Sequence, residues 1–262
     1  MIMHDFPIQI MAAPLGKTHL FFAGQAGYVI KSKNGQMLAL DLYLSECGER
    51  FMRTIGFKRL LPHILDPFEI KFDCIIATHP HFDHFDMDAM PMLMDNPKTR
   101  LYASMDCERE VTRLRMSPKN ITYCAPGDSV TDGDFKFDFI NCDHGRGAPD
   151  ALGVIITVDG IRIAVVGDSC LRMDRVDEYL KDGPLDIFIG PINGAFGNLN
   201  EEDFAQLVAA VKPGLAIPCH SGMFAAQGGD YGKFQRIMEK EYPDIPFALM
   251  QMGEEMTLSS KI

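Results

Sequence analysis

The run Thr78-His79-Pro80-His81-Phe82-Asp83-His84 places three imidazoles and a carboxylate within six residues. Neutral imidazole and carboxylate are the borderline-hard donors that suit zinc, manganese or iron. Buried without an ion, so many titratable groups would be costly to desolvate; exposed, they would have no reason to cluster. A polar loop with incidental histidines is the bland alternative, and it does not explain such density directly after an apolar run. The pattern points to metal binding with room for two ions. His79 and His81, two apart in an extended loop, can turn onto one ion, and Asp83 and His84 can face a second beside it.

These side chains need elements to hold them. Asp73-Cys74-Ile75-Ile76-Ala77 is a short apolar run of the kind expected of a buried strand. Pro80 ends ladder pairing and stiffens the turn, and Asp86-Met87-Asp88-Ala89-Met90 looks like a helix beginning. One turn cannot complete two coordination spheres, so further ligands must come from elsewhere. His144, in Asn141-Cys142-Asp143-His144-Gly145-Arg146-Gly147, follows a strand-like run at 135–140. Asp168, in Val165-Val166-Gly167-Asp168-Ser169, closes another at 161–166, and His220, in Ile217-Pro218-Cys219-His220-Ser221-Gly222, sits just past a third. All three fall at strand ends followed by Gly or small residues, where loops carry functional groups at one rim of a sheet. His4, His19 and His63 read as structural or solvated.

The rest of the chain has the same grammar. Strands are expected at 20–23, 28–31, 37–40, 73–77 and 100–103 with a helix near 105–115, then at 135–140, 153–158, 161–166, 187–189 and 215–217. Helices are expected near 173–181, 201–211 and 231–239. Asn200 before three acidic residues is a sound helix start, and Val158-Asp159-Gly160-Ile161 is a strong hairpin signal. The Met-rich stretch 87–94 reads as helix core or pocket lining. No Pro/Ser-rich linker, low-complexity tract or fixed repeat divides the chain, so residues 1–262 read as a single domain.

Composition narrows the setting. A hydrophobic fraction of 47% supports a sizeable core, and 23% charged residues is ordinary for a soluble protein. Seven cysteines, odd in number and without a C-x-x-C pair, argue for reduced thiols and against a disulfide framework. Cys142, Cys170 and Cys219 lie near proposed ligands but read best as small buried hydrophobes. Met1-Ile2-Met3-His4-Asp5 lacks the basic start of a secretory signal, and no apolar run is long enough to span a bilayer. A cytoplasmic location is expected. With 25 basic against 36 acidic residues, the net charge of −11 disfavours nucleic acid and anionic membrane as partners. A small-molecule substrate fits better, and a homo-oligomer is compatible with the sequence.

Taken in order, His79, His81, Asp83 and His84, then His144, Asp168 and His220, resemble the ligand set of the metallo-β-lactamase superfamily: H-x-H-x-D-H, a later His, a Gly-Asp and a final His. The resemblance runs from about Phe21 to the C-terminus. Within the superfamily the chain looks most like the L-ascorbate-6-phosphate lactonase branch. Leu65-Asp66-Pro67-Phe68-Glu69-Ile70 leads into the metal motif as it does there. Gly24-Gln25-Ala26-Gly27-Tyr28-Val29-Ile30, Leu40-Asp41, Gly167-Asp168-Ser169, Lys212-Pro213 and Ile217-Pro218-Cys219-His220 add to the match. The region between Asp41 and Leu65 is shorter than in those lactonases, and His144 is the ligand typical of the wider superfamily.

The resemblance implies an α/β (α+β) fold, a four-layer αββα sandwich, and two divalent metal ions per chain, Mn2+ or Zn2+. It implies that His79, His81 and His144 hold one ion and Asp83, His84 and His220 the other, with Asp168 bridging. The implied activity is that of a metal-dependent hydrolase opening a small lactone or ester, with L-ascorbate 6-phosphate as the named candidate and a metal-bridging hydroxide as nucleophile. Asp83 and Asp168 are the catalytic candidates, Asp83 passing a proton to the leaving oxygen. Asp41 is a candidate partner for a ligand imidazole. Arg146 is a candidate grip on a phosphate or carboxylate, with Arg172, Ser221 and Gln25 behind it. The alternatives are a phosphodiesterase or nuclease using the same ligands, a redox diiron protein, and a non-catalytic metal-binding regulator.

Overall fold

The computed structural model describes residues 4–259, so the Met1-Ile2-Met3 part of the N-terminal reading lies outside the described residues. Two mixed β-sheets face each other. The first half of the chain supplies β1 (Thr18–Gly24), β2 (Gly27–Lys31), β3 (Met37–Leu40), β4 (Cys74–Ala77), β5 (Arg100–Ser104) and β6 (Ile121–Cys124). The second supplies β7 (Ser129–Asp132), β8 (Phe135–Asn141), β9 (Leu152–Val158), β10 (Ile161–Val165), β11 (Ile187–Pro191) and β12 (Leu215–Cys219). A last strand, β13 (Glu255–Leu258), returns to the first sheet. The strand orders are β13-β1-β2-β3-β4-β5-β6 and β12-β11-β10-β9-β8-β7.

Period-two alternation decides which layer each side chain enters. Along β1, Leu20 and Phe22 join the cluster between the sheets, while Phe21 and Ala23 join the outer one. On β8, Phe135, Phe137 and Phe139 point inward, and Lys136 and Asp138 pair with each other outside. Both faces of each sheet are therefore covered. Helices α1 (Asp5–Ala12), α2 (Cys47–Met52), α3 (Met90–Leu93) and α4 (Glu108–Arg113) lie outside the first sheet; Phe6, Cys47, Met90 and Val111 enter its outer cluster. Helices α5 (Val176–Leu180), α6 (Glu201–Val211) and α7 (Tyr231–Glu241) cover the second through Tyr179, Phe204, Val208, Phe234 and Met238. The result is the expected αββα sandwich.

Several local readings stand at residue level. Asp159 and Gly160 have φ of 52° and 82°, the two left-handed residues a tight hairpin needs, and Val158 faces Ile161 across it. Asn200 caps α6 in a reciprocal box with Asp203, a device worth about 1 kcal/mol. Others differ. The helix expected from Asp86 begins at Met90, because the Asp86 carboxylate accepts the N–H groups of Leu44, Ser45, Asp88 and Ala89 and fixes a turn instead. The stretch at 105–115 starts as a 3-10 turn before becoming α4. His4 is tied to Glu69 by its backbone N–H and its ring, and His19 is buried between Glu255 and the Pro14 carbonyl. Among the described residues no helix is long and apolar enough to cross a membrane.

Strand direction then places the site. β3, β4 and β5 run parallel in one sheet, β10, β11 and β12 in the other, so their C-terminal ends share a rim. The β1–β2 turn and the end of β8 reach the same rim. Leu152 N–H donates to the Thr78 carbonyl at 3.0 Å, tying the two sheets together there.

Candidate metal centre

The loop after β4 turns back on itself through His84 N–H and Phe85 N–H, both donating to the His81 carbonyl. This turn aims the side chains of His79, His81, Asp83 and His84 at one point. From the second sheet come His144 after β8, Asp168 after β10 and His220 after β12. The structure brings all seven sequence-derived ligand candidates together.

They fall into overlapping groups. In the first, the Nδ1 of His81 stands 3.0 Å from His79 Nε2 and 2.9 Å from His144 Nε2. In the second, Asp83, His84 and His220 meet, with the two Nε2 atoms 3.2 Å apart and His220 Nε2 3.3 Å from Asp83. Asp168 lies between the groups: 3.3 Å from His84 Nε2, 3.2 Å from His220 Nε2 and 3.8 Å from His144 Nε2.

The donor set fits divalent metal ions. A ring nitrogen carries one proton or one lone pair, so His81 Nδ1 cannot serve two facing nitrogens well. A cation accepting all three lone pairs resolves that conflict. Electrostatics keeps those rings neutral, the form a metal requires. Burial, reinforced by neighbouring imidazoles, holds His79 well below the ordinary histidine value. Burial lowers His81 as well and takes His144 down to about 4.

The second group behaves oppositely. Burial still opposes charge there, but the Asp168, Asp41 and Asp83 carboxylates outweigh it and raise His84. Asp168 and Asp83 likewise raise His220 to about 9. Against burial, His84 and His220 in turn hold Asp83 and Asp168 well below the usual carboxylate range.

Asp41 is buried and accepts His84 Nδ1–H at 2.8 Å, Thr78 N–H at 2.8 Å and Thr78 Oγ1–H at 2.6 Å. Its hydrogen bond fixes the ring so that Nε2 faces the centre. Gln25, ranked low as a substrate contact, instead packs into the centre. Its Nε2 donates to Asp83 at 2.8 Å and to Gln227 Oε1 at 2.7 Å, and its backbone carbonyl accepts His220 N–H at 2.7 Å. Gln25, Asp41 and His220 all have left-handed backbones, with φ of 57°, 45° and 61°. Such strain costs about 1–3 kcal/mol per residue and gathers at functional sites.

A cavity of about 420 Å³ opens onto His81, Asp83, His144 and Asp168, and Arg146 lines it. Arg172 does not: its guanidinium is held by Asp143 and Asp174. Ser221 donates to the Gly229 carbonyl and serves its own loop. Met87 and Met90 belong to the core. Cys142 and Cys219 are buried thiols whose ionisation burial strongly disfavours, as expected of small hydrophobes; Cys170, expected to be buried with them, is only partly buried. Sequence reading missed Asn198, which donates to Asp168 at 2.8 Å, and the cavity residues Gln227, Phe57 and Phe196. The only available signal was the Gly-rich run around Phe196 and Asn198.

Comparison with known proteins agrees with this geometry. The sequence profile of the beta-lactamase superfamily domain matches residues 19–220. A UPF0173 metal-dependent hydrolase of Saccharolobus solfataricus is 29% identical over 204 residues, 76% of this chain and 86% of that protein. One from Sulfolobus acidocaldarius is 30% identical over 170 residues, 62% and 70% of the two chains. Among solved structures, Igni18, a metallo hydrolase from Ignicoccus hospitalis, is similar with a TM-score of 0.71 at 16% identity, covering 94% of this chain and 100% of that one. An isothiocyanate hydrolase from Delia radicum gut bacteria gives 0.69 at 18%, covering 92% and 99%.

Proposed function

This chain belongs to the beta-lactamase superfamily and is a metal-dependent hydrolase, and from that premise we propose that it uses two ions to hydrolyse a small lactone or ester. The position of Asp168 carries this reading. One carboxylate reaches His84, His220 and His144, and so touches both ligand groups. His79, His81 and His144 would hold one ion and Asp83, His84 and His220 the other, with Asp168 shared.

Divalent ions there would make water nucleophilic near neutral pH and polarise an ester carbonyl. The chain's own groups do the rest. Asp83 lines the cavity and stays anionic, so it can orient the attacking water, accept the proton that water loses and pass that same proton to the leaving oxygen. Asn198 holds Asp168, and Gln25 holds Asp83. Arg146 sits where it can grip a carboxylate or phosphate on the substrate. The Leu65–Ile70 and Gly167-Asp168-Ser169 matches favour a lactone, with L-ascorbate 6-phosphate the first compound to test. Unpaired thiols at all seven cysteines suit a reducing, cytoplasmic setting.

The test is metal loading with manganese or zinc, ion counting by mass spectrometry, and assay against lactones and esters with a chelator control. Two ions per chain and chelator-sensitive turnover are expected. One ion per chain at saturation would end the dinuclear reading. Preferential cleavage of phosphodiesters would favour the nuclease-type alternative.

A further inference from the structure

The wall of the cavity away from the ligands is apolar. Met52, Phe57, Phe82 and Phe196 form it. Phe57 is 6.1 Å from both Phe196 and Phe82, and Phe82 packs on Phe224 at 5.7 Å and on Tyr43 at 6.0 Å. Phe224 and Tyr43 are buried in the core, so the wall is rooted rather than loose.

Phe196 stands out within it. The residue is 63% exposed, and its backbone is left-handed, with φ of 56°, between Gly194 and Gly197. A bulky residue rarely adopts that conformation, and an exposed phenyl gains little from burial in return. The loop is also fastened to the metal centre. Asn198 Nδ2 donates to Asp168 at 2.8 Å, and Leu199 N–H donates to the Ser169 carbonyl at 2.9 Å. The ring is thus held in fixed relation to the carboxylate between the two ligand groups.

The same cavity contains the opposite chemistry. Arg146 is exposed, follows His144 by two residues and has no hydrogen bond or ion pair among the described residues. In a chain of net charge −11, an unpaired guanidinium beside an apolar wall is complementary to an anion carrying an apolar group.

We infer that the substrate is an amphipathic anion: a lactone or ester with an aryl or alkyl group that lies on Phe57, Phe82 and Phe196, and a carboxylate or phosphate that meets Arg146. This rests on the hydrolase reading for its reactive bond and narrows it. A phosphorylated sugar-acid lactone such as L-ascorbate 6-phosphate would meet Arg146 through its phosphate but leave the ring wall without a partner, so an amphipathic lactone should outrank it as substrate.

A matched set of γ-lactones tests it: one with a phenyl substituent and a carboxylate, one with methyl in place of phenyl, and one without the carboxylate. On metal-loaded enzyme, phenyl should exceed methyl in kcat/KM by about tenfold or more, and the carboxylated compound should exceed the neutral one about tenfold. Phe196→Ala should collapse the first ratio, Phe196→Tyr should retain it, and Arg146→Gln should collapse the second. A methyl lactone used as well as the phenyl one, or a phenyl-to-methyl ratio untouched by Phe196→Ala, overturns the inference. If metal-loaded protein turns over no lactone or ester, calorimetric binding of phenyl- and methyl-substituted alkylphosphonates to loaded and metal-free protein decides. Preferential phenyl binding lost in Phe196→Ala sustains the amphipathic pocket while the hydrolase reading alone falls; equal binding overturns the pocket as well.

Discussion

The two ligand corners of the centre stand side by side and end in opposite charge states, although burial pushes both the same way. At His79, His81 and His144 burial outweighs the pull of nearby Asp168 and, at His81, of Asp83, and drives the rings neutral. His84 and His220 are buried more deeply than His81 and His144, yet Asp41, Asp83 and Asp168 raise them above the ordinary histidine value and so favour their protonated form when no ion is present. Burial alone therefore does not set the charge of an imidazole; the nearest carboxylates do. The first corner is ready to accept a cation, whereas the second must release protons to do so. Asp168 is the group the two have in common.

Removing that shared group is the severest way to break the comparison. Asp168→Asn keeps the shape but takes away the negative charge facing His84, His144 and His220. We expect kcat/KM to fall by about 10³-fold or more, with bound metal dropping below two ions per chain. Mass-spectrometric ion counts beside hydrolysis rates check it. A variant that keeps both ions and near-normal turnover would show that the corners act independently.

Titration of the metal-free protein sharpens the comparison without substitution. His144 has a folded value near 4 against an ordinary 6.5, so the unfolded chain binds more protons between them. That corner loses stability as pH falls from 6.5 toward 4. His220, raised to about 9, stabilises the fold fully below 6.5 and loses that contribution as pH rises through about 9. The depressed Asp83 and Asp168 add to the acid limb. Chelator-treated protein should therefore be most stable near pH 6–7, falling on the order of 2 kcal/mol to either side. Zinc should flatten the alkaline limb, because the bound rings are already deprotonated. Urea denaturation across this range is the measurement, and a monotonic profile would contradict the two-corner description.

The corners also differ in how much of them could be read from sequence. Four of the seven ligand candidates sit in one dense motif, where four donors in six residues leave little else to propose. His144, Asp168 and His220 were legible only because each closes an apolar run, and strand ends in parallel sheets share a rim. The central strands were found for the same reason: buried on both faces, they are almost continuously apolar. The strands without a sequence signal, β6, β7 and β13, are edge strands whose residues are half-exposed. Helix α1 was hidden by Pro7, which falls in the first turn where its missing N–H costs nothing. Asp86 carried a helix signal that its own side chain cancels. Asn198, Gln227 and Phe196 lie in irregular loops whose course depends on bonds to distant residues, and no local pattern encodes those.

Gln25 shows how the carboxylate corner is supported by uncharged groups, and it supplies the mildest test. Its Nε2 bridges Asp83 and Gln227, and its backbone carbonyl holds the His220 backbone. Gln25→Ala removes the first contact and leaves the backbone bond, so Asp83 should lose orientation while the ions remain. We expect kcat to fall about fivefold with KM and ion count unchanged. Gln25→Glu should be worse, since it sets a second carboxylate against Asp83 in a buried site. If both variants instead lose metal in proportion to activity, Gln25 acts on the cage as a whole. In that event the carboxylate corner would depend on its amides as much as on its charges, and its contrast with the three-histidine corner would be one of construction as well as of electrostatics.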